Sequence, residues 1–142
     1  MKNFLFCVWI IAALGLSGVS HTIYSADSAT DAATKAAQAW LALVDSGEYA
    51  ESWQKAAQIF RSQVTKDQWV NALNSVRSPL GKVESRTLKN STYTKSLPGA
   101  PDGEYVVIQF DTVFEKRKSS IETITPMKER DGQWRVSGYF IK

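Results

Sequence analysis

The apolar periodicity of this chain changes once, at Gly81, from a helical repeat to alternation, and that switch dictates the order of its elements. Before it, Ala29, Ala33, Ala36, Ala37, Trp40 and Val44 recur at helical spacing in an alanine-rich stretch. Alanine is the strongest helix former, so residues 27–44 are predicted as a first helix, capped by Ser28 or Thr30 and stopped by Asp45-Ser46-Gly47. Tyr49, Trp53, Ala56, Ala57 and Phe60 place a second amphipathic helix over 49–60. Thr65 followed by Gln68 is a capping box, opening a third helix whose buried stripe is Trp69, Ala72, Leu73 and Val76. Ser78-Pro79-Leu80-Gly81 ends it, because proline lacks an amide donor and disfavours helix in the residue before it.

After Gly81 the period is two. Residues 82–95 are polar, with sparse apolar positions, and read as a bulged strand. In the next strand, 104–114, Val106, Ile108, Phe110 and Phe114 share one face with Thr112, while Tyr105, Val107, Gln109, Asp111 and Val113 share the other. A third strand covers 120–130, with an edge, bulge or break expected at Pro126, which cannot donate to a ladder. Asp131-Gly132 signals a hairpin into a last strand, 133–141. Here Trp134, Val136, Gly138 and Phe140 alternate against Arg135, Ser137, Tyr139 and Ile141. The segment Leu97-Pro98-Gly99-Ala100-Pro101-Asp102-Gly103 joins two antiparallel strands and reads as a stiff turn with a rigid surface. Helices followed by strands segregate into an α+β domain. The expected architecture is three N-terminal helices packed on a curved four-stranded antiparallel meander, cone-like in shape, as one domain over 27–142.

Residues 1–26 stand apart. Lys2 precedes the apolar run FLFCVWIIAALGL, Phe4 to Leu16, which has signal-peptide length and falls short of the roughly 20 residues a membrane span needs. Small residues at Gly18 and Ser20 suit cleavage within 20–26, so the chain is expected to be exported, periplasmic or secreted, with no membrane span in the mature form. Cleavage removes Cys7, the one cysteine, leaving no disulfide, thiol nucleophile or thiolate metal site. His21, the one histidine, lies at the cleavage region, which excludes Ser-His-Asp chemistry and histidine-based zinc sites from the folded part. Neither a cofactor nor a metal is expected. The net charge of +3 is mild, and the dense basic cluster, Glu115-Lys116-Arg117-Lys118, falls at a turn, so nucleic acid is not an expected partner.

The segments AAQAWLALVDSGEYAESW (Ala36 to Trp53), QWVNALNSVRSPLGKVESRTLK (Gln68 to Lys89), LPGAPDGEYVVIQFDTVF (Leu97 to Phe114) and DGQWRVSGYFIK (Asp131 to Lys142) resemble a family of exported bacterial proteins known as domain of unknown function 4019. The organisation is also similar to the cone-shaped fold of nuclear transport factor 2-like and cystatin-like proteins. The resemblance implies export and a small α+β domain, and it brings no catalytic residues with it.

Four residues are candidate ligand-binding groups. Arg77 and Arg86 flank the Ser78–Gly81 turn, and their planar forks suit convergence on a carboxylate or phosphate. Trp53 and Trp69, with Trp40 and Trp134, fall on apolar stripes that either pack a core or line a pocket at the open end of a cone. Asp111 sits in phase with the outward residues of its strand, so a surface pair with Arg135 is expected, and no catalytic residue is assigned. The expected function is a non-catalytic binding or interaction module of the bacterial envelope, a monomer or weak dimer acting on an unknown protein or small ligand. The alternatives are a cone-pocket isomerase or hydrolase using Asp and Tyr groups, and a structural or assembly protein pairing through a sheet edge.

Overall fold

The computed structural model describes residues 20–142, with side chains from Ala26 onward. Residues 1–19 of the predicted signal segment, with Trp9 and Cys7, lie outside the described residues, and its residues 20–26 fall within the first helix. Four α-helices precede four strands: α1 (Ser20–Asp45), α2 (Tyr49–Lys55), α3 (Gln58–Gln63), α4 (Lys66–Val76), a 3-10 turn (Ser78–Leu80), β1 (Val83–Thr94), β2 (Tyr105–Phe114), β3 (Arg117–Lys128) and β4 (Trp134–Ile141). The strands form one antiparallel sheet in the order β1-β2-β3-β4, the expected meander. The fold is therefore α+β, with four helices where three were expected. Among the described residues, no helix is long and apolar enough to cross a membrane.

The extra helix arises at Ala56-Ala57. Both residues are extended and fully buried, and the Ala57 N–H donates to the Val136 carbonyl at 2.8 Å. The alanine methyl is too small to hold the backbone away from the sheet, so the chain leaves the helix there and satisfies a carbonyl of β4. Helix α1 is longer than expected and runs from Ser20 through Ser28 and Thr30, so neither caps it. Instead the Thr30 hydroxyl donates back to the Ala26 carbonyl at 2.9 Å.

Ala33, Ala37, Trp40, Leu41 and Val44 are the buried face of α1, which lies across all four strands. The two small residues let the helix approach closely, and the large ones then fill the space toward its C-terminal end. The facing layer is Val106, Ile108 and Phe110 from β2, Ile124 from β3 and Val136 from β4. The capping box of α4 forms as expected, with Gln68 N–H donating to Thr65 Oγ1 at 3.2 Å and Thr65 N–H to Gln68 Oε1 at 3.0 Å. Its buried stripe differs from expectation. Trp69 and Leu73 are covered, Val76 is 53% exposed, and the stripe continues into Arg77 at the cap position.

Ser52, fully buried in α2, joins the tryptophans. Its carbonyl accepts from the Trp40 indole at 2.7 Å, and its hydroxyl accepts from the Trp69 indole at 3.0 Å while donating to the Tyr49 carbonyl. Replacing Ser52 by Ala leaves the Trp69 N–H buried without a partner, which costs about 1–3 kcal/mol. Urea unfolding followed by tryptophan fluorescence is expected to show a lowered midpoint at unchanged slope.

Candidate functional site

The inward face of the sheet is apolar at one end and charged at the other. On β2 the inward residues run Val106, Ile108, Phe110, Thr112, Phe114, and on β3 they run Ser120, Glu122, Ile124; the register sets Thr112 opposite Ser120 and Phe110 opposite Glu122. Glu122 is therefore carried into the interior by strand alternation, and its side chain has no solvent exposure. A carboxylate there needs compensation, because a buried charge is tolerated only when paired and hydrogen-bonded.

Both of its oxygens are fully engaged. Oε1 accepts from Thr112 Oγ1 at 2.6 Å and from Arg86 Nε at 2.8 Å. Oε2 accepts from Tyr139 OH at 2.5 Å and from Arg86 Nη2 at 3.3 Å. Arg86, from β1, thus holds Glu122 along one edge of its guanidinium, and it holds Asp45 along the other. Nη1 donates to Asp45 Oδ2 at 2.7 Å and Nη2 to Asp45 Oδ1 at 2.9 Å. Arg77 completes the cluster, with Nη2 donating to Asp45 Oδ1 at 3.0 Å, Nη1 to the Gly81 carbonyl at 2.7 Å, and the guanidinium carbon 4.5 Å above the Phe114 ring. Two carboxylates against two guanidiniums give formal neutrality.

The ionisation of these groups follows from their neighbours. Burial resists charging of Asp45, but the hydrogen bonds and charges of Arg86 and Arg77 outweigh it and hold the carboxyl below its ordinary 3.8. Burial likewise opposes the Arg86 charge, and Asp45 and Glu122 more than offset it, so the guanidinium is held protonated more firmly than usual. Burial and then the Glu122 charge push the Tyr139 phenol far above its ordinary 10.0. It stays a neutral donor.

Tyr139 also ties this cluster to the aromatic core. Its ring packs edge-on against Trp40 at 5.4 Å and against Trp69 at 6.4 Å. It reaches this position because β4 slips register between Thr125 and Pro126 on its partner. Trp134 and Val136 follow the expected phase, but beyond the bulge the inward residue is Tyr139, and Phe140 is 56% exposed. The expected alternation through Phe140 is corrected there. Pro126 explains it, since a residue without an N–H breaks the ladder of an inner strand.

Of the sequence candidates, the structure brings Arg77 and Arg86 together, and they converge on a carboxylate of the chain itself. Trp69 is core, 7% exposed; Trp53 is half-buried, with its indole donating to the Val64 carbonyl at 2.7 Å. Asp111 faces outward, but its partner is Lys89 at 3.4 Å and not Arg135. Strand β3 lies between their two strands, and Arg135 pairs locally with Asp131 at 2.9 Å and Glu129 at 3.3 Å. Tyr105 lies under the 97–103 loop, its hydroxyl donating to the Pro101 carbonyl at 2.6 Å. Glu122 and Asp45 are the members of this cluster that the sequence patterns did not single out. The available signal was Thr112, Ser120 and Glu122 all falling in the inward phase of adjacent strands.

A helix layer over one face of a meander, with a neutral ion cluster clamped between them, defines a small α+β domain with a locked polar interior. The chain belongs to the family described as protein of unknown function (DUF4019), whose model matches residues 36–139. Comparison with curated proteins finds no match.

Replacing Arg86 by Met leaves Glu122 uncompensated and costs about 3–5 kcal/mol, whereas adding Glu122→Leu to that variant recovers most of the loss. Equilibrium unfolding of both variants checks this. With Asp45 depressed below 3.8, its contribution is complete above about pH 4 and is lost as pH falls further. With Tyr139 raised, its contribution is complete below about pH 10 and is lost as pH rises. Stability–pH curves of Asp45→Asn and Tyr139→Phe are expected to flatten on the acid and alkaline limbs respectively.

Proposed function

We propose that this protein is an exported, non-catalytic interaction module of the bacterial envelope that binds a protein or a small ligand. The observation that carries this reading is the saturation of the buried Glu122 carboxylate. Every oxygen of Glu122 is bonded within the cluster, and the paired charges sum to zero. General acid–base chemistry needs a group free to exchange a proton with a substrate in reach. The isomerase or hydrolase alternative needs Asp111, Tyr105 and Tyr139 around one space, and they lie apart: in solvent, under a loop and in the core.

Binding has a surface to use. Beside the stiff loop, a cleft of about 910 Å³ opens between α3, residues 101–104 and residues 127–131, floored by Ile59, Pro101 and Met127. The loop is braced by a turn in which the Ala100 N–H donates to the Leu97 carbonyl at 3.2 Å and Gly99 takes a positive φ of 77°. Proline then glycine at the two central positions is the type II arrangement. The assembly alternative is disfavoured by the sheet edges: β1 carries two irregularities, and on β4 the Val136 carbonyl is already taken by Ala57.

Fractionation of cells making the full chain tests the reading. The mature N-terminus is expected within residues 20–26, outside the cytoplasm, and native mass spectrometry of that material is expected to show a retained mass. An uncut chain in the cytoplasm overturns export, and turnover of a substrate by the purified domain overturns the non-catalytic assignment.

A further inference from the structure

Asp45 differs from the other members of the ion cluster in how it is held. Its side chain is 28% exposed, against 16% for Arg86, 4% for Arg77 and none for Glu122. It is the last residue of α1, where the negative end of the helix dipole opposes a carboxylate. Two residues on, Gly47 takes a φ of +79° and the chain leaves the helix, with open space where a Gly47 Cβ would sit.

The two guanidiniums, in contrast, are fixed without it. Arg86 is held by Glu122 through Nε and Nη2, and Arg77 by the Gly81 carbonyl and the Phe114 ring. Arg77 also carries a donor that the cluster does not use. Its Nε is buried with no acceptor among the described residues, on a residue only 3% exposed. Such an orphan donor is uncommon, because buried polar groups are nearly always paired. What Arg86 presents to Asp45 is a planar fork for two oxygens, filled at 2.7 and 2.9 Å, which is carboxylate geometry.

We propose that Arg77 and Arg86 form a carboxylate-binding site for an external ligand, which Asp45 occupies as a tethered self-ligand in the free protein. This deepens the reading of the protein as a binding module by naming the ligand class of one site. Without Asp45 the cluster carries one net positive charge, and both guanidiniums remain aimed at the vacated seat. In the intact chain the tether gives Asp45 a high effective concentration, so a small acid competes poorly. A partner that adds contacts outside the seat competes better.

The probe is sodium acetate, compared with sodium chloride and sodium phosphate at matched ionic strength, on the wild type, Asp45→Ala and Asp45→Asn. Thermal unfolding and tryptophan fluorescence are the readouts. Saturable stabilisation by acetate is expected in Asp45→Ala, at least ten-fold weaker in the wild type, and abolished by adding Arg77→Met. N-acetylglycine distinguishes the sources: a tighter response than to acetate assigns the site to chain-terminal carboxylates, and the reverse assigns it to small acids. Equal responses to acetate and chloride in both Asp45 variants overturn the proposal, as does a stronger response to phosphate. Failure of both variants to fold in acetate also overturns it, because the arginines are then not held in place without Asp45. None of these outcomes depends on export or on a retained partner.

Discussion

The Glu122 carboxylate, with no exposed surface, is the constraint around which the rest of this fold is arranged. An isolated charge in that position costs several kcal/mol, so the native state exists only if donors arrive from elsewhere in the chain. They come from three strands: Thr112 from β2, Arg86 from β1 and Tyr139 from β4. Each sits on a strand other than that of Glu122, so the cluster verifies the whole sheet order. A one-residue slip of any of these strands would turn its donor outward and strand the carboxylate.

The aromatic core and the ion cluster are two halves of one device, joined through Tyr139. Its ring belongs to the layer of Trp40 and Trp69, and its hydroxyl belongs to Glu122. The bulge in β4 is what makes both memberships available to one side chain. Ser52 plays the matching part on the helix side, terminating two indole N–H groups that would otherwise be buried unpaired. Apolar burial supplies the driving force here, and polar termination selects one packing out of many that would bury the same area.

How much of this was legible in the sequence depends on whether local or tertiary forces decide each feature. The period switch at Gly81, the capping box at Thr65 and the meander follow from local chemistry, and they appear where the residues place them. The break at Ala56-Ala57 does not, because alanines read as helix and only the Val136 carbonyl makes leaving the helix favourable. Arg77 occupies the stripe position that Val76 was expected to hold, since its guanidinium lies over the Phe114 ring and pairs with Asp45. Arg77 and Arg86 were identifiable as a converging pair from their flanking positions, but their resident carboxylate, 32 residues before Arg77, was not. Long-range partners of that kind leave no periodic trace.

The first helix shows how the two kinds of force divide the work. Its alanine face decides how close it lies to the sheet, for Ala33 and Ala37 are fully buried. Its C-terminal end carries an acid and no base in the last turn, the wrong charge for the local dipole. The cations that a helix end ordinarily draws from its own sequence are supplied instead by the C-cap of α4 and by β1, through Arg77 and Arg86. Local electrostatics at that end is thus unfavourable and tertiary electrostatics reverses it. Packing sets the depth of α1, Gly47 at a positive φ ends it, and two arginines from other elements neutralise the acid at its end.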